Sequence, residues 1–422
     1  MNLVKLFLFS TQSSSLIIQF NSSYLKLSLL SSAMMKTISL PAVLGLLCAC
    51  CISTRRAHAF IRPISKRRAA VYPDRRSSYA VPTATFSGNA VDLDVSSDST
   101  CSPPITVERY GYDGWNLTYR YRPATPGHEG DEPLILIHPV GIGCSAWIWT
   151  KMMEEWQGGA VYTPNLIGCG LEDGNDALDP DQRGLSVPLG WVKAVEALIQ
   201  EKALAPPTRI DAGNDSDKGG ILGRFRTKTS NGMPPASCTV VVQGGSAPIG
   251  VLLASRNPTV VSKLVLTSPP TWDDMTTATP EKQLAKNYNF YRSFWGKLAF
   301  AALESRWAVR LFSNLFLFLE ECDERWVDLS TSREATTVEA RPPVAIFNSG
   351  FLQHRSYEDE LREVIEQPVL IISGSGDKRA EKRVEYGSEM KLGTLATLRG
   401  TNVLPWEAPA KVCEAIQTFS KT

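Results

Sequence analysis

The stretch Val240-Val-Val-Gln-Gly-Gly-Ser-Ala-Pro-Ile-Gly250 passes from an apolar β-branched run, through small residues, into a helix-forming segment. That pattern predicts a buried strand, a sharp turn and a helix, the setting in which a serine can be held up as a nucleophile. Whether Ser246 fills that role is the question the rest of the sequence has to answer.

The flanking segments repeat the same alternation. Ile105-Thr-Val-Glu-Arg-Tyr-Gly-Tyr112 and Trp115-Asn-Leu-Thr-Tyr-Arg-Tyr-Arg122 alternate in polarity around Asp113-Gly114, which reads as a hairpin. Pro133-Leu-Ile-Leu-Ile-His138 is continuously apolar, as a strand covered on both faces must be. A Gly-rich loop follows it, then an amphipathic segment from Ala146 to Trp156, a strand over Ala160–Asn165 and a helix over Trp191–Leu204. Downstream come strands over Lys263–Pro270, Pro368–Ser373 and Gly393–Leu398, with helices near Ala380–Met390 and Ala408–Phe419. Such alternation implies an α/β fold, with a mostly parallel central sheet flanked by helices. Aromatic-rich helical segments from Thr271 to about Glu360, such as Tyr288–Phe312, read as a helical cap inserted after the sixth strand, over the strand ends where α/β folds bind ligands.

At 422 residues and 43% hydrophobic, the chain can bury one large core or two domains. A net charge of +1 lacks the basic excess of a nucleic-acid-binding surface. Of nine cysteines, Cys48, Cys50 and Cys51 sit in an apolar N-terminal run. Cys101, Cys144, Cys169, Cys238, Cys322 and Cys413 are scattered, with no CxxC pair and no His at ligand spacing. No zinc site, disulfide framework or cofactor is therefore expected.

The N-terminus reads as an address. Met34-Met-Lys-Thr precedes a short apolar run, Ile38 to Ile52, that ends in Ala57-His-Ala-Phe60, the pattern of a signal peptide. Cleavage after Ala59 would leave Phe60 leading a basic, Ser-containing stretch in which Asp74 is the only acid between residues 55 and 76. This resembles the bipartite presequence of complex plastids of red-algal descent; secretion is the alternative. Residues 1–33 are either an extended signal or excess ahead of a true start at Met34 or Met35. The expected division is a signal peptide over 1–59 and a transit peptide or linker over 60–104. The core occupies 105–270, with a flexible insertion at 205–236 rich in Pro, Gly, Asp, Ser and Lys, and resumes over 361–422 after the cap at 271–360. The mature chain carries no expected transmembrane segment, and its oligomeric state is open.

Four landmarks in order give the folded part a resemblance to the α/β-hydrolase superfamily, over roughly Ile105 to Thr422. His138-Pro-Val-Gly141 stands where that fold has its oxyanion-loop His-Gly, and Pro164-Asn-Leu-Ile-Gly-Cys-Gly170 matches its Asp-x-x-Gly-x-Gly loop. Gly374-Ser-Gly-Asp377 matches the acid position of the triad. Gly400-Thr-Asn-Val-Leu-Pro-Trp-Glu-Ala-Pro409 matches the segment that normally reads Gly-x-Gly-His, with Glu-x-Pro opening the last helix. The Asn-Val-Leu-Pro-Trp-Glu string resembles a little-characterised cyanobacterial and plastid branch. The resemblance implies catalytic positions near Ser246, Asp377 and Asn402, with His138, Val140 and Gly245 at the oxyanion loop.

The chemistry breaks at the base. Hydrolysis by this fold needs a nucleophile, a carboxylate and a His in the order Ser, Asp, His. Asn402 stands at the His position, and an amide neither gains nor loses a proton near neutral pH. Only His58, His128, His138 and His354 exist, and none follows a late strand. The nucleophile has two registers. Gly244-Gly-Ser246-Ala-Pro248 can be read as a degenerate G-x-S-x-G with Ser246 as nucleophile. Counting back about fourteen residues from the helix-terminating Pro258 places Gly244 at the apex instead, with Gln243 before it. The second register is preferred, because an elbow needs backbone angles that glycine adopts without penalty. Ser246 then begins the helix.

Each remaining candidate also has a structural reading. Asp377 is read as a loop or capping acid, and His138 as a scaffold for its loop. Asn402 either binds a ligand carbonyl or hydrogen-bonds Asp377. Cys144 and Cys169 read as buried small residues, and Tyr288, Tyr291, Phe294 and Trp295 as cap packing. Two functions follow. One is a protein with a degenerate triad that binds a small apolar ester, lipid or pigment-like ligand under its cap; the other is an active esterase- or lipase-like serine hydrolase using Ser246.

Overall fold

The computed structural model describes residues 15–20, 23–28, 103–204 and 237–421. The chain forms two compact units, Met1–Cys101 and Ser102–Thr422. In the first, Ser15–Phe20 pairs antiparallel with Ser23–Ser28; the remainder of the expected signal and transit segments, and the 205–236 insertion, lie outside the described residues.

The second unit is built on one sheet of eight strands. These are β1 (Thr106–Tyr112), β2 (Trp115–Arg122), β3 (Leu134–Ile137), β4 (Val161–Pro164), β5 (Cys238–Gln243), β6 (Val261–Thr267), β7 (Val369–Gly374) and β8 (Gly393–Leu398). Their spatial order is β8-β7-β6-β5-β3-β4-β2-β1. The strands from β8 to β4 run parallel, while β2 is antiparallel to both β4 and β1. Asp113 and Gly114, between β1 and β2, both have positive φ, at 47° and 75°, the backbone that a tight hairpin with right-handed strand twist requires.

The apolar run of β5 is explained by what covers it. Val240 and Val242 join the core cluster that includes Trp191, Ile249 and Leu253, whereas Val241 faces the opposite cluster with Met152, Ile416 and Phe419. Successive residues of a strand point to opposite faces, so covering both faces requires an uninterrupted apolar stretch. The first face is covered by α2 (Leu189–Leu198) and α3 (Ala247–Arg256), the second by α1 (Thr150–Glu155) and α12 (Pro409–Ser420). Gly250 lets α3 seat closely, because a β-carbon there would lie 2.3 Å from Val242 Cγ2.

The chain leaves the sheet after β6 and forms the cap. It comprises α4 (Trp272–Thr276), α5 (Glu281–Arg292), α6 (Phe294–Leu303), α7 (Arg306–Phe312), α8 (Glu324–Ser330) and α9 (Arg341–Ser349). It then returns through β7, α10 (Glu385–Glu389), β8 and α11 (Leu404–Glu407) to α12. Cap and core are pinned by three indoles packed edge-on. Trp326 of α8 lies 5.1 Å from Trp147 and 5.6 Å from Trp406 between ring centroids, and Trp147 lies 5.2 Å from Trp406. The cap departs from expectation at one place. Tyr288 and Tyr291 pack against Phe351 and Phe300, but Phe294 and Trp295 point outward, 73% and 44% exposed. Apolar character and helical spacing identify a packed face only where another element arrives to cover it, and here the two rings start a helix whose other face is the buried one.

Candidate functional site

At the end of β5 the backbone bends through a single 3₁₀ turn, Gly244–Ser246, before α3 begins. Gly244 holds φ at 62°, the left-handed region where a side chain is strained and glycine is not. A β-carbon built at Gly244 would have only Pro139 Cβ near it, at 3.9 Å, so the apex has room for a side chain that the sequence does not supply. Gly245 is different: Phe347 of α9 places ring atoms 2.5 and 2.7 Å from where its β-carbon would stand. Ser246 occupies the N-cap of α3, is fully buried, and its Oγ makes no hydrogen bond with any described residue.

Gln243, just before the apex, is locked in place. Its Oε1 accepts from Thr267 Oγ1 at 2.6 Å, and its Nε2 donates to the Asn402 carbonyl at 2.6 Å. This ties the β5 elbow to the loop that follows β8. That loop meets the acid loop backbone to backbone: Gly376 N–H donates to the Gly400 carbonyl, and a β-carbon at Gly374 would lie 2.2 Å from the Thr401 carbonyl oxygen. Asn402 N–H donates to the Leu317 carbonyl of the cap, while its side-chain amide bonds no described residue.

Asp377 stands after β7 but is engaged elsewhere. Its Oδ2 takes Arg383 Nη1 at 2.6 Å and its Oδ1 takes the Arg379 N–H at 2.9 Å. Arg383 also donates from Nε to the Pro269 carbonyl at 2.5 Å. Among the described residues no hydrogen bond joins Asp377 to Asn402. Glu407, which the sequence offered only as part of a motif, turns out to be a clamp. Its two oxygens accept the Thr401 N–H at 2.7 Å and the Leu319 N–H at 2.6 Å, joining the Asn402 loop to the cap.

The loop after β3 is positioned by His138. The ring is fully buried; its Nδ1 donates to the Pro139 carbonyl at 2.9 Å, so Nε2 is left to accept the Leu166 N–H at 3.1 Å. Burial lowers its pKa to about 4, which keeps the ring neutral. Asn165 completes the scaffold by accepting the Ala146 N–H and donating to Thr118 and Asp173. Val140 is buried, and its N–H donates to no described residue. Of the other described histidines, His128 bonds Asp131 and His354 bonds the Phe351 carbonyl, so none of the three reaches a hydroxyl. Burial raises the Cys144 thiol to about 12 and pushes Cys169 up as well, which holds both as thiols rather than nucleophilic thiolates.

The cap and the loop after β3 are in close contact. A β-carbon at Gly143 would fall 2.0 Å from the Ser330 carbonyl oxygen, and the cleft between Gly141, Gly143, Glu172 and Val344 measures about 20 Å³. That is room for a water molecule, not for an ester.

The chain belongs to the alpha/beta hydrolase family, whose sequence model matches residues 134–415. Solved structures share the fold at low identity. A bacterial membrane phospholipase A superimposes with a TM-score of 0.51 at 15% identity, covering 75% of this chain and 86% of that one. The thioesterase domain from the curacin biosynthetic pathway gives 0.51 at 16%, covering 74% and 99%. The haloalkane dehalogenase DbeA from Bradyrhizobium elkani gives 0.51 at 17%, covering 75% and 99%. No curated protein matches the sequence.

Proposed function

We propose that this α/β-hydrolase-fold protein has a degenerate triad and binds a small apolar ester, lipid or pigment-like molecule beneath its cap without conventional hydrolysis. The observation that carries the reading is the left-handed apex: the position where this fold presents its nucleophile is Gly244, which has nothing to attack with. Asn402 in place of the base and Asp377 turned toward Arg383 support it from the other two positions. A ligand would find an unbonded amide at Asn402 and the Val140 N–H as polar handles, with Phe347 as the apolar wall it must displace. The dehalogenase, thioesterase and phospholipase named above are enzymes that place different chemistries on this scaffold, so the fold itself selects none of them.

Thermal unfolding in the presence of methyl oleate, a galactolipid or chlorophyll a tests the binding. A ligand at a hundredfold excess over its dissociation constant stabilises the native state by about 2.7 kcal/mol. The account expects such a shift for at least one of them, reduced in Asn402→Ala; no shift from any of them contradicts it.

Delivery to a plastid by residues 1–104 is part of the same proposal. The basic, acid-poor stretch after Phe60 supports it. A fluorescent reporter fused to these residues is expected in the plastid of an alga with a complex plastid; secretion of the reporter would refute the assignment.

A further inference from the structure

On α6, Gly296, Ala299, Phe300 and Leu303 are buried, while Phe294, Trp295, Lys297, Leu298, Ala301 and Ala302 face outward. The helix is therefore apolar on both sides, and Lys297 is the single charge on its outer face. A helix apolar all round is normally enclosed by protein or lipid. On the adjoining α7, Trp307 is 63% exposed, and further along the chain Leu315, Phe316 and Leu319 are exposed as well. Single exposed apolar residues are ordinary, but Phe294, Trp295 and Leu298 stand three and four residues apart on one helix face, and a contiguous patch of large apolar residues marks a docking surface.

We propose that this outer face of the cap docks on a lipid bilayer, lying in the interface without crossing it. Two observations select lipid. Its rings include Trp295 and Trp307, and tryptophan is favoured at the membrane–water boundary, where an apolar body and a polar N–H are both accommodated. Among the described residues no helix is long and apolar enough to span a membrane, so the docking proposed is interfacial. The second observation is charge. Lys297 makes no ion pair with any described residue, and α6 carries no acidic residue. Arg306 and Arg310, by contrast, are held by Glu324 and Asp328. A two-fold pairing of the same face in two copies would bury Lys297 with no carboxylate on α6 to meet it, whereas a lipid headgroup phosphate meets it directly.

The chain beyond α7 reaches the candidate site. Leu317 supplies the carbonyl that holds the Asn402 and Val403 N–H groups, and Leu319 Cδ1 would lie 2.6 Å from a β-carbon at Gly376. The inference stands on the exposed face alone and does not depend on which ligand, if any, occupies the site.

The test uses residues 102–422, the compact unit that carries the whole sheet and its core clusters. Flotation with phosphatidylcholine vesicles containing phosphatidylglycerol is expected to carry the protein upward, with quenching of its fluorescence by brominated lipid. Trp295→Ser/Trp307→Ser should abolish both, and Lys297→Ala should weaken partitioning about fivefold. Absence of flotation, or equal flotation by the double variant, would overturn the proposal. So would a concentration-dependent dimer that the same double variant dissociates, which would assign the face to a second copy.

Discussion

Arg383 Nη1 stands 2.6 Å from Asp377 Oδ2, and the two side chains are only 3% and 10% exposed. A carboxylate held this way is satisfied by a guanidinium and has no lone imidazole to orient. Removing one partner of a buried pair strands the other charge, a loss of about 3–5 kcal/mol, whereas replacing both by apolar groups is far milder. Asp377→Leu is therefore expected to lose about 3 kcal/mol or more in urea unfolding. Asp377→Leu/Arg383→Met should recover much of that loss. Additive destabilisation by the two substitutions would contradict the pairing.

The two glycines of the elbow should respond differently. Gly244→Ala meets open space and incurs mainly the left-handed penalty, about 1–2 kcal/mol. Gly245→Ala drives a methyl group into the Phe347 ring, for a loss of about 1–3 kcal/mol from overpacking. Phe347→Leu should relieve Gly245→Ala and leave Gly244→Ala unaffected, a pattern read directly from unfolding midpoints.

His138 makes stability depend on pH. Its native pKa of about 4 lies below the ordinary value of 6.5, so the unfolded chain takes up the proton first. The group's contribution is complete above about pH 6.5, shrinks as pH falls toward 4, and is gone below that. The amount at stake is about 3 kcal/mol. His138→Gln is expected to flatten this part of the stability profile between pH 4 and 6.5; an unchanged slope would show that the ring is not buried neutral.

Sequence patterns carried most of the architecture because buried strands need apolar residues on both faces, and β3, β5 and β7 advertise that need openly. Counting back from the helix end near Pro258 points to Gly244, and Gly244 is the residue that holds a left-handed φ between β5 and α3. Contacts between distant loops left no such trace. Nothing local in the sequence says that Gln243 will bond the Asn402 carbonyl, that Glu407 will clamp Leu319 and Thr401, or that Arg383 will take Asp377. Phe294 and Trp295 show the converse limit, since periodicity reports an apolar face but not whether protein or solvent meets it.

The central claim is that Ser246 is not activated for attack. Fluorophosphonate labelling of the wild type, beside Ser246→Ala and Gly244→Ser, tests it most directly, because the reagent reports an activated hydroxyl without knowledge of the substrate. The account predicts no labelling of any of the three, since Ser246 Oγ is buried without a partner and a hydroxyl placed at 244 has no imidazole within the described site. Labelling of the wild type that disappears in Ser246→Ala would contradict it.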